Sequence, residues 1–140
     1  MAFFYHFWAK QLISSMGKIS AAITALGAYV PDYVLTNKIL ETMVDTNDEW
    51  ITTRTGIKER RILKEKHKGT SFLAINAAKD LINKSNLDPL EIDLVIVATA
   101  TPDMQAAATS VYVASKIGAK NAFGYDLVAA CSSFLYASST

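Results

Sequence analysis

Cys131 is the only thiol in the chain. Residues 122–130 before it read as a buried strand, and Ser132 onward reads as the start of a helix. At such a junction the unpaired N–H groups and the dipole of the helix stabilise an anion. The thiolate is a nucleophile, and its own backbone N–H can point at the oxyanion formed by attack on a thioester. Small neighbours, Ala129, Ala130, Ser132 and Ser133, leave room for a substrate. The other reading of a lone cysteine is a small buried hydrophobe.

Trp50 and Arg54 are the second candidate. They lie four apart, so a helix puts them on one face. An indole beside a guanidinium can hold a flat ring such as adenine, by stacking and cation–π attraction. The plainer reading is a half-buried Trp with an Arg lying over it. The two histidines, His6 and His67, are poorly placed to serve Cys131: the first lies in an aromatic N-terminal run and the second among Lys64, Lys66 and Lys68. No Cys–His pair is therefore expected within the chain. Asp45, Asp48 and Glu49 cluster at a helix start, where acids are ordinary, and glycine-rich phosphate loops are absent from the sequence.

The rest of the composition narrows the function class. Lys plus Arg is 14 and Asp plus Glu is 13 in 140 residues, a net charge of +1 without a long basic stripe. That gives no footprint for nucleic acid. With 51% hydrophobic and 19% charged residues the chain is globular rather than disordered. One cysteine excludes an internal disulfide framework and, with two histidines, disfavours structural zinc. The expectation is a soluble protein of a reducing, cytoplasmic compartment, with neither membrane nor nucleic acid as partner.

The elements that must position these residues follow from the patterning. Residues 1–17 pack five aromatics and a histidine into their first eight positions, too short to span a bilayer. Met16-Gly17-Lys18 reads like a second start, so residues 1–17 are expected to be an extension outside the fold. Residues 19–30 read as a strand ending at Pro31-Asp32. Thr36 can cap a helix over 37–44, and residues 45–48 give a second start signal for a short helix over 49–54, stopped near Gly56. Residues 58–68, dense in Lys, Arg and Glu, read as a solvated loop. Thr70 or Ser71 can cap a helix over 72–84 with an apolar stripe of Phe72, Ile75, Ala78, Leu81 and Ile82. Asp88, Pro89 and Glu91 form a capping pattern. Residues 94–98 read as a strand buried on both faces, 106–117 as a helix ending at Gly118, and 122–130 as the last strand. Strands alternating with helices mean an α/β layered fold with a largely parallel sheet. The last helix is only about two turns long at Thr140, so residues 18–140 are expected to be a fold incomplete at its C-terminus.

Three ordered blocks carry a family resemblance. They are residues 43–61, MVDTNDEWITTRTGIKERR; residues 97–104, VATATPDM; and residues 125–136, YDLVAACSSFLY. Together they resemble β-ketoacyl-acyl-carrier-protein synthase III, the condensing enzyme that initiates fatty-acid synthesis, and the resemblance runs from Lys18 to Thr140. It implies a thiolase fold: two similar α/β halves, each a sheet between helices, of which this chain resembles the first.

The resemblance also implies roles. Cys131 matches the acylated cysteine, Trp50 and Arg54 match the pair at the adenine end of coenzyme A, and Thr46 matches a residue lining the same site. The implied substrates are an acyl-coenzyme A and malonyl-acyl-carrier protein, and the implied assembly is a homodimer. No metal or redox cofactor is implied. The family's catalytic His and Asn, and the glycine N–H completing its oxyanion hole, belong to the second half. After Met104, where many members have an aromatic and a proline, this chain has Gln105, Ala106, Ala107, Ala108 and Thr109. Smaller side chains there imply a primer longer or more branched than acetyl. The alternatives are a related starter enzyme of polyketide or quinolone synthesis, and a non-catalytic fragment.

Overall fold

The computed structural model describes residues 2–9 and 21–140. Its strands are β1 (Ala2–Ala9), β2 (Ala21–Tyr29), β3 (Val34–Thr36), β4 (Glu59–Arg61), β5 (Leu94–Ala98) and β6 (Phe123–Leu127). Its α-helices are α1 (Asn37–Leu40), α2 (Asp48–Thr55), α3 (Thr70–Ser85), α4 (Thr109–Ile117) and α5 (Ser133–Ser139). The chain divides into two units, residues 30–68 and residues 2–29 with 69–140.

In the unit of residues 30–68, β3 and β4 pair antiparallel, Val34 opposite Arg61 and Thr36 opposite Glu59. The sequence suggested a solvated loop over 58–68, and its first part is instead a strand. The reason is a set of backbone acceptors on the facing chain. The Arg60 guanidinium donates to the Leu35 carbonyl, at 3.3 Å, and that of Arg61 to the carbonyls of Pro31 and Asp32, at 3.3 and 3.1 Å. Thr36 caps α1, accepting the Ile39 N–H at 3.3 Å. α1 stops at Leu40, short of the expected 44, and the Glu41 carboxylate accepts the Asp48 N–H at 2.6 Å, at the start of α2.

In the larger unit, β1 pairs antiparallel with β2, Ala2 opposite Tyr29 and Ala9 opposite Ala21. The expectation that residues 1–17 stand outside the fold is therefore corrected for Ala2–Ala9; residues 10–17 lie outside the described residues. The aromatic run has strand propensity, and among the described residues β2 has no other strand partner. α3 packs on β2 at backbone contact: a Cβ on Gly27 would stand 2.3 Å from the Ala77 carbonyl oxygen and 2.5 Å from the Leu81 nitrogen. That approach selects the buried face of α3. It is Ala74, Ala77, Ala78 and Leu81, with Ile75 and Ile82 flanking and Phe72 set edge-on to the Tyr29 ring.

β5 and β6 are parallel, Leu94 opposite Phe123 through Ala98 opposite Leu127, with α4 as the crossover. The parallel pattern holds for this pair, while β1–β2 and β3–β4 are antiparallel. The core gathers Ala74 and Ala78 of α3, Val95 and Val97 of β5, and Val113, Ala114 and Ile117 of α4. Leu94 and Ile96 on the other face of β5 are only half-buried, so among the described residues one face of this strand is closed.

Two helix starts are capped from far along the chain. At α3, neither Thr70 nor Ser71 serves as the expected cap. Both carboxylate oxygens of Asp103 accept the Ser71 N–H, at 3.1 Å, and the Thr70 hydroxyl donates to the Thr101 carbonyl at 2.6 Å. At α4, Asp126 on β6 accepts the N–H groups of Thr109 and Ser110, at 2.7 and 2.8 Å. The helix therefore starts at Thr109 rather than 106, where Ala106, Ala107 and Ala108 offer no side-chain acceptor. It ends as expected at Gly118, in the left-handed region with φ 85°. Among the described residues no helix is long and apolar enough to cross a membrane.

Candidate functional site

α2 carries the first candidate group. Its start is set by Asn47, whose side-chain oxygen accepts the Trp50 N–H at 2.7 Å. Its end is set by Gly56, left-handed at φ 71°, whose N–H bonds the Thr52 carbonyl at 2.9 Å. Both ends follow the local signals: Asn at the N-cap and Gly one residue past the helix. Only Ile51 of the helix is buried. Trp50 is 52% exposed, and the Arg54 guanidinium lies over its ring, 4.5 Å from the centroid. Four-residue spacing thus brings the two side chains together, but onto each other rather than around a gap.

A slot for a third ring between them needs two stacking distances, about 7 Å at roughly 3.5 Å each. A flat ligand must therefore take another part of the indole or lift Arg54 away. A cleft of about 320 Å³ lies at Trp50, lined by Asp45, Thr46, Asn47 and Trp50. So the structure places Thr46 and Trp50 in one cleft and sets Arg54 against the indole, outside that lining.

Cys131 belongs to the other unit. β6 ends at Leu127, earlier than expected, and Ala130–Ser132 form a single 3-10 turn before α5 begins at Ser133. The strand cannot run to Ala130 because that residue has φ 46°, left-handed and rare for a residue with a Cβ. The turn is closed on itself. The Ser132 N–H bonds the Ala129 carbonyl at 3.1 Å, and the Ser133 hydroxyl accepts the Ala129 N–H at 2.8 Å. Ser133 is 1% exposed, whereas Cys131 stands exposed at the turn. Among the described residues nothing covers the Cys131 side chain, which is the exposure a nucleophile needs.

Sequence reasoning missed Ser133 as the anchor of this turn and Asn37 as a partner of α2. Asn37 is 2% exposed and its amide nitrogen donates to Asp48 at 2.6 Å and to the Ile57 carbonyl at 2.8 Å. A four-residue Ser-to-amide link closing a turn is a local motif that the sequence could have suggested. The Asn37 contacts span 11 and 20 residues and leave no local pattern. His67 sits in the unit of residues 30–68, at φ 62°. Among the described residues no three His, Cys, Asp or Glu side chains gather where a metal could bind.

No family model matches the chain. It is 58% identical over 121 residues to the β-ketoacyl-[acyl-carrier-protein] synthase III of Phocaeicola vulgatus, covering 86% of this chain and 36% of that one. The crystal structure of 3-oxoacyl-[acyl-carrier-protein] synthase III from Aquifex aeolicus superposes with a TM-score of 0.75 at 49% identity, over 81% of this chain and 36% of that one. The priming β-ketosynthase of the R1128 polyketide biosynthetic pathway superposes at 0.76 with 41% identity, over 81% and 34%. The chain spans about a third of the length of the curated relatives it matches. The α/β arrangement described above is thus the matching portion of a thiolase-like fold.

Proposed function

We propose that this chain, a homologue of the β-ketoacyl-[acyl-carrier-protein] synthases III over their N-terminal portion, supplies the nucleophile and part of the coenzyme A site of a condensing enzyme that initiates fatty-acid synthesis. The observation that carries the reading is Cys131, exposed on a turn that a left-handed Ala130 and the buried Ser133 hold in shape.

Acyl-coenzyme A binds with its adenine against the exposed indole of Trp50, beside Thr46, and Arg54 backs the ring. The Cys131 thiolate attacks the thioester carbonyl; the carbon–sulfur bond to coenzyme A breaks and coenzyme A leaves as its thiolate. Malonyl-acyl-carrier protein then loses carbon dioxide. The electron pair left behind, as an enolate, attacks the acyl-cysteine carbonyl, and the Cys131 sulfur leaves as thiolate. The enolate needs hydrogen-bond donors; in the resemblance they are a His and an Asn of the second half. The reading includes a cytoplasmic homodimer, and the small side chains of 105–109 suit a primer larger than acetyl.

The test is condensation by the full-length enzyme carrying this segment, supplied with malonyl-acyl-carrier protein and a series of acyl-coenzyme A primers. One carbon dioxide released per β-ketoacyl product, with larger or branched primers preferred over acetyl, supports the reading. No product with any primer refutes it. The likeness to the priming ketosynthase favours a second reading, a polyketide starter enzyme. It predicts that a polyketide-type carrier protein is used far better than the fatty-acid carrier.

A further inference from the structure

Trp50 and Arg54 project from a helix of eight residues, only one of them buried. An isolated helix of that length is marginal in water, so its position must be imposed by contacts from outside. Among the described residues the buried side chain reaching both of its ends is Asn37. The amide nitrogen donates to the Asp48 carboxylate, at the first residue of α2, at 2.6 Å. It also donates to the carbonyl of Ile57, two residues past the helix, at 2.8 Å, and lies 3.4 Å from the Thr52 hydroxyl between them. The Asn37 backbone N–H adds a bond to the Lys58 carbonyl at 3.1 Å. The amide faces its acceptors nitrogen-first while its own oxygen is buried without a partner among the described residues. The reverse orientation would turn that oxygen on two others, so donation to Asp48 and Ile57 decides how the group sits.

We infer that Asn37 is the positioning residue of the coenzyme A face: its buried amide pins the start and the exit of α2 to the junction of β3 and α1, and so sets where Trp50 stands. This rests on the reading of Trp50 as the adenine contact. Asn37→Asp keeps the size and replaces the one nitrogen that makes both donations by an oxygen facing the Asp48 carboxylate and the Ile57 carbonyl. A positioning role raises KM for the acyl-coenzyme A, roughly tenfold, but no further than Trp50→Ala does, with kcat and the rate of Cys131 acylation at saturating substrate within about twofold. The swap Asn37→Asp with Asp48→Asn restores a donor–acceptor pair and recovers part of the loss. Asp48 is exposed, so Asp48→Ala is the milder perturbation, and it raises KM in the same sense by a smaller factor.

The experiment measures these four variants in the full-length enzyme. An unchanged KM in Asn37→Asp and Asp48→Ala overturns the inference, as does a fall in kcat at constant KM. If Asn37→Asp yields no folded protein, Asp48→Ala and the swap decide in the same way. If Trp50→Ala leaves KM unchanged, the reading of Trp50 fails instead, and the two failures are told apart.

Discussion

Gly27→Ala tests how closely β2 and α3 approach. The new Cβ would meet the Ala77 carbonyl oxygen at 2.3 Å, the Leu81 nitrogen at 2.5 Å and the Leu81 Cβ at 2.6 Å. Ordinary contacts are about 3.5–4 Å, so strand and helix must separate by roughly 1 Å. Two of the three obstacles are backbone atoms and cannot rotate aside. Adding a methyl group to a packed interior costs about 1–3 kcal/mol, and rigid obstacles put this site at the upper end. Intrinsic preference runs the other way, since replacing Gly by Ala at a compatible position stabilises by about 0.4–1 kcal/mol. The net expectation is a loss of about 2 kcal/mol, a large part of the roughly 5–15 kcal/mol of a typical domain. The assay is equilibrium urea unfolding followed by circular dichroism. At a slope of about 2 kcal/mol per molar, the midpoint should fall by about 1 M. An unchanged or higher midpoint would refute the close-packing argument, because only intrinsic preference would then remain.

Trp50→Ala should raise KM for the acyl-coenzyme A by about 5- to 150-fold, since base–aromatic stacking is worth about 1–3 kcal/mol; a drop of orders of magnitude in kcat at constant KM would count against a binding role. Asp126 makes stability pH-dependent. Burial opposes its ionisation, but the amides of Ser110 and Thr109 outweigh it and hold the carboxyl below the ordinary 3.8. A lowered folded pKa gives stability fully present above the unfolded value, near 4, and lost as pH falls through the folded value. Asp126→Asn should therefore flatten the fall in melting temperature below about pH 4; identical profiles would remove Asp126 from the account. The 140-residue chain by itself should release no carbon dioxide from malonyl-acyl-carrier protein, because catalytic groups that act as a unit are far from additive. With Phe123, Val128, Leu135 and Tyr136 each more than half exposed, it should also self-associate, and a monomeric, active preparation would contradict both expectations.

What was legible in the sequence is what local chemistry decides. Thr36, Asn47, Gly56, Asp88 and Gly118 mark element ends that the structure keeps, because a cap acts on its own or adjacent turn. The errors lie where the partner is remote. α3 is capped by Asp103 and α4 by Asp126, over 32 and 17 residues, which neither the nearby Thr70 and Ser71 nor the helix-favouring alanines of 106–108 signal. β4 forms because β3 offers an edge, not because residues 59–61 have strand character. Side-chain size points to a stripe of Phe72, Ile75, Ala78, Leu81 and Ile82 on α3, whereas Gly27 brings the backbones together and favours the small Ala74, Ala77 and Ala78. Of the candidate site, the nearness of Trp50 and Arg54 was legible from their four-residue spacing, and Cys131 was singled out by residue type. The left-handed Ala130 and the Ser133 anchor that expose the thiol depend on backbone geometry that composition does not display.

The most direct measurement of the central claim is the position of the acyl group. Full-length enzyme carrying this segment is incubated with an acyl-coenzyme A in the absence of malonyl-acyl-carrier protein, digested, and analysed by mass spectrometry. The account predicts one acyl group, on the peptide containing Cys131, lost in Cys131→Ala and discharged when malonyl-acyl-carrier protein is added. Acylation that persists in Cys131→Ala, or an adduct on another residue that is competent for condensation, would contradict it.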